Sequence, residues 1–164
     1  MFDASLESAA QIIARHAPHH GVFPTLVPGL TLYRIESNAF IERTAGEIMT
    51  TFIVHGRKTT AIGGKMLEYG AGESLVCGIA SPSEFHTLDA SRDNPFLALS
   101  VSLDASILME YADALYDRHQ SGQLSEMPGG VFVICPDEDL RDVFLRLLKI
   151  LDRPKLIAVR APLT

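Results

Sequence analysis

The middle of this chain, residues 22–103, has no helical periodicity but contains a series of short strand-like runs. The clearest pair is a hairpin, in which Gly63 and Gly64 separate two such runs. Adjacent glycines supply the positive φ angles of a tight primed turn. Other turn residues, including Gly56 and Gly72, divide the remaining runs. Many short strands joined by glycine turns predict a sandwich or a small barrel.

Two longer runs indicate how these strands are covered. Residues 47–55 are rich in β-branched side chains and apolar on both faces, which predicts a strand buried on both sides. Leucine and valine alternate with alanine and serine over residues 97–103, which predicts a half-buried strand with a face of small residues. Shorter strands are expected at residues 31–36, 74–77 and 85–88.

Helical spacing appears only at the two ends of the chain. The N-terminal helix has apolar residues at i, i+3, i+4 and i+7, with Asp3 or Ser5 as its cap and Pro18 beyond its end. A second helix is expected from Asp104 to about residue 119, and a short strand from residue 131 to 134.

The last helix has the strongest periodicity. Pro136 is expected in its first turn and Pro154 beyond its end. Its apolar stripe is formed by Leu140, Val143, Phe144, Leu147, Leu148 and Leu151. These six side chains pack either on the chain's own barrel or on a partner helix, and the added apolar width from Leu145 and Ile150 favours the partner. We therefore expect a homodimer.

Composition and charge exclude several classes of protein. The chain has 164 residues, 47% of them hydrophobic and 21% charged, which is typical of one globular domain. No apolar run is long enough to span a bilayer, no signal peptide is evident, and two cysteines fit a reduced cytoplasmic protein. The net charge is −6, with −10 over residues 1–140 and +4 over residues 141–164. An acidic body repels phosphate backbones, so we expect no DNA binding by this chain alone.

Enzyme motifs are absent from the sequence. Gly70 and Gly72 lack the third glycine of a dinucleotide fingerprint, and no G-x-S-x-G elbow occurs. Glu84 and His86 share a strand face and, with His55, form the one candidate for a three-ligand metal site. A hydrogen-bonded histidine at a strand end explains the same residues, so we expect no catalytic residue, cofactor or metal.

A ligand cavity is the other candidate site, because small barrels hold apolar molecules in their mouths. Side chains that fill the core would show the same pattern. The candidate ligand-binding residues, all on predicted strands or their ends, are Tyr33, Met49, Phe52, Tyr69, Cys77, His86 and Phe96.

From about Phe23 to Thr164 the order of elements resembles the N-terminal, effector-sensing domain of AraC-family transcriptional regulators. The resemblance rests on the segments at residues 23–33, 55–58, 68–76, 94–104, 151–154 and 161–163, of which Gly56-Arg57-Lys58 followed by Tyr69-Gly70 is the most specific. His55 departs from the glutamine that the family usually has at this position.

This resemblance implies a mainly β fold with C-terminal helices: a cupin-like barrel (a double-stranded β-helix) without a catalytic metal, and a helical dimerisation segment. The expected divisions are an N-terminal helix and arm (1–21), the barrel (22–103), and the helical segment with its short strand (104–164), where a linker begins. Family members continue into a helix-turn-helix half that binds DNA. We therefore expect this sequence to be the sensing and dimerisation half of a cytoplasmic regulator that binds a small-molecule effector. A metal-dependent cupin-type enzyme and a purely oligomerising module with a filled barrel remain the alternatives.

Overall fold

The computed structural model describes residues 3–104, 106 and 130–158. Within these ranges ten strands lie between one N-terminal helix and two C-terminal helices. In chain order the elements are α1 (Ala4–His16), β1 (Gly21–Pro24), β2 (Leu30–Ile35), β3 (Ile41–Thr44), β4 (Met49–His55), β5 (Arg57–Ile62), β6 (Lys65–Gly70), β7 (Ser74–Cys77), β8 (Ser83–Leu88), β9 (Phe96–Ser102), β10 (Val131–Ile134), α2 (Glu138–Leu151) and α3 (Pro154–Ala158).

The strands form two antiparallel sheets. The larger sheet has the order β1-β2-β9-β4-β7-β10, and the smaller sheet has the order β3-β8-β5-β6. The predicted hairpin is confirmed: Ile62 pairs with Lys65 across Gly63 and Gly64, whose φ angles are 57° and 75°. The short strands predicted near residues 31, 74, 85 and 131 are confirmed as well.

The strand β9 differs from its prediction, because it is covered on both faces rather than one. It lies between β2 and β4 in the larger sheet. Leu97 and Leu99 belong to the cluster that packs on the helices, whereas Ala98 faces the smaller sheet. Ser100 is buried too. A central strand between a helical layer and a second sheet has no exposed face, and small side chains leave room inside the barrel.

The helix α1 forms where the periodicity predicts it. The carboxylate of Asp3 accepts a hydrogen bond from the backbone N–H of Ser5 at 3.0 Å and caps the first turn. Ile12 and Ile13 are buried against the larger sheet. A cap at one end and an apolar face along the helix fix its place on the sheet.

The helix α2 begins at Glu138, two residues after the expected start at Pro136. Asp137 is its N-cap and accepts from the backbone N–H of Leu140 at 2.9 Å, so Pro136 precedes the helix instead of lying in its first turn. The helix ends at Leu151, and α3 begins at Pro154. The helix predicted from Asp104 to residue 119 falls largely outside the residues that the structure describes.

The six-residue apolar stripe of α2 is divided between the chain's own core and its surface. Phe144, Leu148 and Leu151 are buried within the chain. The ring of Phe144 stacks on Phe52 of β4, with 4.9 Å between centroids and 12° between planes. The other three stripe residues are only partly buried or, for Val143, exposed. Half of the stripe therefore packs on this chain, which the sequence had left open, and the dimerisation role of the six residues stays a prediction.

The buried apolar residues form two clusters, one on each side of the larger sheet. The first, here the helix–sheet core, joins α1 and α2 to the outer face of that sheet. The second, here the barrel interior, lies between the two sheets. Among the described residues no helix is both long and apolar enough to span a membrane.

Candidate functional site

A small cavity opens inside the barrel, between the two sheets. Its free volume is about 20 Å³, which is room for about one water molecule. Polar and charged groups lie among apolar ones along its walls. The lining residues are Tyr33, Glu42, Thr44, Met49, Thr51, Lys58, Thr60, Leu75, Cys77, Ser83 and Phe85.

Lys58 on β5 is the most unusual residue of the cavity, because its side chain is only 4% exposed. Its ammonium nitrogen lies over the ring of Phe85, 4.0 Å from the centroid, with the rings of Tyr69 and Phe96 at 5.5 and 5.9 Å. Burial lowers the pKa of the amine to about 8, although the attraction of Glu42 opposes this shift. Aromatic faces stabilise the cation in part, but they accept no conventional hydrogen bond.

Glu42 on β3 is the opposite charge at this cavity. Its Oε2 atom is buried and has no hydrogen-bond partner in the described part of the chain. Burial raises the pKa of the carboxyl group, while the positive charge of Lys58 lowers it and Glu47 raises it further. A buried carboxylate oxygen without a donor is costly, so its presence requires an explanation.

Lys58 and Glu42 interact at a distance but do not touch. Both residues are described, and no nitrogen–oxygen pair within 4.0 Å joins them. Among the described residues the ammonium of Lys58 has no hydrogen-bond acceptor either. The cavity therefore presents a donor and an acceptor, both unsatisfied, across a gap.

The other polar groups of the barrel interior mostly have partners. The hydroxyls of Thr60 and Tyr69 are hydrogen-bonded at 2.9 Å. The hydroxyls of Thr51 and Ser100 contact the thioether sulfur of Met49 at 3.7 and 3.4 Å. These contacts leave Lys58 and Glu42 as the groups available to a bound molecule.

The two phenols and the thiol around Lys58 are kept neutral by burial. Desolvation raises the pKa of both Tyr33 and Tyr69 above the usual range of a phenol. It also raises the pKa of the Cys77 thiol, against the pull of Lys58. The cavity thus carries one cation and one carboxyl group among neutral donors.

The structure brings together some of the predicted ligand-binding residues and separates others. Tyr33, Met49 and Cys77 line the cavity. Tyr69 and Phe96 lie behind it, with their rings toward the Lys58 amine. The remaining two, Phe52 and His86, do not line it.

Strand alternation places the side chains of Phe52 and His86 away from the cavity. Phe52 faces the helix–sheet core, because the neighbouring Thr51 takes the inward position on β4. His86 is partly exposed on the outer face of β8, and its Nε2 contacts Glu84 at 2.8 Å, because Phe85 takes the inward position there. The ligand-binding role of the seven residues stays a prediction, and five of them lie at the cavity or behind it.

Lys58 and Glu42 were not among the predicted site residues. A charged side chain in a short strand is usually solvated, so residue type alone does not indicate that Lys58 or Glu42 lies inside the barrel. One signal was available: Lys58, Thr60 and Ile62 alternate along one face of β5 and are all buried. Because Ile62 is apolar and lies two and four residues from Thr60 and Lys58, it indicates that Lys58 is on the face of β5 that points inward.

The three residues of the candidate metal site are not assembled. Glu84 contacts His86 and also Arg43, whose Nε lies 2.6 Å away. The Nδ1 of His55 is 2.6 Å from the carbonyl oxygen of Pro95. Within the described residues no group of three histidine, cysteine or acidic side chains could hold a metal ion.

Residues 26–164 match the family model of the N-terminus of AraC-type transcriptional regulators. The chain belongs to this family. Membership confirms the resemblance derived from the sequence, and it confirms a regulatory domain of the ligand-sensing and dimerisation type. No curated protein sequence matches the chain.

Solved structures of ToxT from Vibrio cholerae share the fold. One crystal form at 1.65 Å aligns with a TM-score of 0.52 at 8% identity, and covers 73% of this chain. ToxT from strain O395 bound to (E)-4-(8-methylnaphthalen-1-yl)but-3-enoic acid aligns with a TM-score of 0.53 at 8% identity and the same coverage. The alignment spans 46% of each ToxT chain. The predicted fold class, a mainly β cupin-like barrel with C-terminal helices, is confirmed.

Proposed function

We propose that this domain binds a small-molecule effector in the barrel interior, at the cavity between Lys58 and Glu42. One observation supports this most strongly: in the described part of the chain the ammonium of the buried Lys58 has no hydrogen-bond acceptor, and the buried Oε2 atom of the partly buried Glu42 has no donor. A barrel that only had to fold would be more stable with apolar side chains at both positions. A bound molecule supplies the partners that the protein lacks.

The small free volume makes the side chains around the cavity part of this proposal. Room for about one water molecule does not hold a metabolite, so binding requires Lys58 or Met49 to change rotamer. Both side chains are long and unbranched, which makes such a change inexpensive. ToxT has been solved with a carboxylic acid bound. We infer that this chain also binds a small molecule, and that it does so in the barrel interior.

Strand β4 connects the cavity to the helices. Thr51 lines the cavity, while Phe52, the next residue, stacks on Phe144 of α2. A ligand that shifts β4 therefore changes the packing of α2. Such a shift regulates only if the effector binds one arrangement of strand and helix better than another. We propose that a DNA-binding domain elsewhere in a longer protein responds to this difference.

A library screen by thermal shift tests effector binding. A true effector raises the unfolding midpoint of the wild-type chain, and its effect falls at least about tenfold in potency in Lys58→Met, because a charge-assisted hydrogen bond contributes about 1.5–3 kcal/mol. Lys155→Met serves as the control, since Lys155 is exposed on α3. If no compound in a broad metabolite library stabilises the chain, the purely oligomerising alternative replaces this proposal.

We further propose that α2 mediates a homodimer through its remaining apolar surface. Val143 is 46% exposed and Leu156 on α3 is 57% exposed, with the partly buried Leu147 and Ile150 beside them. Arg146, Lys149 and Arg153 border the groove that Ile150 and Leu156 line. A second copy of this face would cover the exposed apolar side chains.

The double variant Val143→Glu/Leu156→Glu tests the dimer without disturbing the helix–sheet core, because both side chains are exposed and neither belongs to that core. We expect the wild-type chain to elute as a dimer and the variant as a folded monomer, because a glutamate at a buried interface has no partner. Light scattering coupled to size exclusion gives the mass, and Gln11→Glu on the exposed face of α1 is the matched control. A variant that stays dimeric removes α2 from the interface.

Finally, we propose that the occupant is bound without being transformed, and that the protein works in the cytoplasm. Family membership supports both statements, because the family consists of regulators rather than enzymes. The test is recovery: a ligand incubated with the purified chain is recovered unchanged by mass spectrometry. Conversion of the ligand in proportion to the amount of chain would restore the enzyme alternative.

A further inference from the structure

The two unsatisfied groups of the cavity differ in what they require from a ligand. The Lys58 ammonium has three N–H donors and needs an acceptor, whereas the Glu42 Oε2 atom is an acceptor and needs a donor. The aromatic faces of Phe85, Tyr69 and Phe96 surround the amine and offer no conventional acceptor. A molecule that satisfies only one of the two groups leaves the other buried and unpaired.

Charge balance restricts the ligand further. Lys58 and Glu42 attract each other across the cavity, as their opposite influences on each other's pKa indicate. A bare anion that binds Lys58 enters beside the Glu42 carboxyl group and is repelled by it. A bare cation that binds Glu42 is repelled by Lys58. Burying a net charge in an apolar interior is costly, so a ligand with both charges and no net charge is favoured.

Size and lining restrict the rest of the molecule. The gap between Lys58 and Glu42 exceeds the 4.0 Å of a direct ion pair, and the free space is water-sized before any rotamer changes. The two charged groups of the ligand must therefore lie within a few bonds of each other. Leu75, Phe85 and Met49 leave apolar surface for a short side chain.

We propose, on the basis of the function proposed above, that the effector of this domain is a small zwitterion of the amino-acid class. Its carboxylate binds the Lys58 ammonium and its ammonium group binds the Glu42 carboxylate. The geometry assigns specificity to this pair, since neither group has another partner among the described residues. The apolar wall of the cavity selects among the side chains.

A binding series on the wild-type chain separates the charges of the ligand. The probes are glycine, L-alanine, L-valine and β-alanine, with acetate as the anion alone, methylammonium as the cation alone, and acetamide as the neutral analogue. At a hundred times its Kd, a zwitterion should raise the unfolding midpoint by about 5–10 °C. Acetate and methylammonium should each bind at least about tenfold more weakly, because each leaves one buried charge unpaired. Calorimetry gives the Kd values.

Two variants then test the assignment of each charge. Glu42→Gln should weaken zwitterion binding by about 10–100-fold yet strengthen acetate binding, because the repelling carboxyl group is gone. Lys58→Met should weaken the zwitterion and strengthen methylammonium. A purely structural role for either residue predicts no such reversal. Glu138→Gln and Lys155→Met, both at exposed positions, should leave every Kd unchanged.

The outcomes distinguish this inference from the proposed function. If acetate binds the wild-type chain as tightly as glycine does, the proposal that the effector is a zwitterion is wrong. It is also wrong if a crystal structure at saturating L-alanine shows one ordered water bridging Lys58 and Glu42. A compound of another class that stabilises the wild type but not Lys58→Met overturns the zwitterion class and leaves the sensing function in place. If no compound of any class binds, both proposals fall. The wild-type series decides the question even if Lys58→Met does not fold.

Discussion

The two faces of the larger sheet are covered by two different kinds of core. On the outer face, no charged side chain is buried among the described residues under α1 and α2, and the rings of Phe52 and Phe144 stack nearly in parallel. On the inner face, the apolar residues of the barrel interior surround a lysine, a glutamate and several hydroxyls. The glutamate and the lysine come from β3 and β5 of the smaller sheet, whose described strands supply no residue of the helix–sheet core.

This difference indicates that the helix–sheet core stabilises the fold and that the barrel interior is adapted to binding. An apolar core stabilises the fold at little cost, whereas buried charges without partners destabilise it. A protein that has room for an entirely apolar core on one side of a sheet has no structural need for Lys58 on the other. We therefore expect the charged groups of the barrel interior to lower the stability of the fold and to recognise a ligand.

Truncation in the helix–sheet core gives the largest expected effect. Leu148 has no exposed surface, and Leu148→Ala should lower the free energy of unfolding by about 2–5 kcal/mol through lost burial and an added cavity. Denaturant titration measures the change. Val143→Ala on the exposed side of the same helix is the control and should change it by less than about 0.5 kcal/mol. Equal losses for the two variants would contradict the division of the α2 stripe.

Removal of the buried cation should act in the opposite direction. Burial lowers the pKa of Lys58 from 10.5 in the unfolded chain to about 8. The unfolded state therefore binds more protons between these pH values, so the contribution of Lys58 to stability rises from pH 8 to pH 10.5. At pH 7 the penalty is about 3 kcal/mol. Lys58→Met should be more stable by up to about this amount, and its advantage should shrink as the pH rises through that window.

Other titratable groups lie around Lys58 and also make the stability depend on pH. The contribution of Lys58 is therefore obtained from the difference in unfolding free energy between the wild type and Lys58→Met. Burial raises the pKa of Tyr33, Tyr69 and Cys77, so each of these groups lowers the stability of the fold as alkaline pH ionises it in the unfolded chain; burial raises the pKa of the Glu42 carboxyl group as well. The contributions of the two tyrosines are shared by the wild type and the variant, whereas removal of Lys58 raises the pKa of Cys77 and of Glu42 further. Urea titrations at pH 7, 8, 9 and 10 give the difference directly, and a difference that does not vary with pH would contradict the burial of a charged amine.

The smallest expected effect concerns a satisfied polar pair inside the barrel. Tyr69→Phe removes one partner of the 2.9 Å hydrogen bond to Thr60 and leaves that hydroxyl buried. We expect a loss of about 1–3 kcal/mol, near the lower end because the threonine hydroxyl can rotate. The double variant Tyr69→Phe/Thr60→Val should recover part of this loss in denaturant titrations. No recovery would indicate that the pair is held by packing alone.

Periodicity predicted the helices and the hairpin because each of those signals is local. The spacing in α1 and α2 and the paired glycines at 63 and 64 describe contacts within a few residues of each other. The faces of β4 were a different problem, since this strand is apolar on both sides. Its sequence pattern does not show which face meets the helices. Phe52 and Met49 were therefore both predicted to bind a ligand, although they lie in different cores.

The sequence by itself determined the family, the order of the elements, the hairpin and the amphipathic helices, because turn residues and apolar spacing act over short range. The tertiary structure alone decided that Lys58 and Glu42 lie inside the barrel and that half of the α2 stripe packs on its own chain. Closure of two sheets determines burial, and closure depends on contacts between residues distant in the chain. The alternation of Lys58 with Thr60 and Ile62 indicates that they share a strand face, but whether a second sheet covers that face is decided by residues far away in the chain.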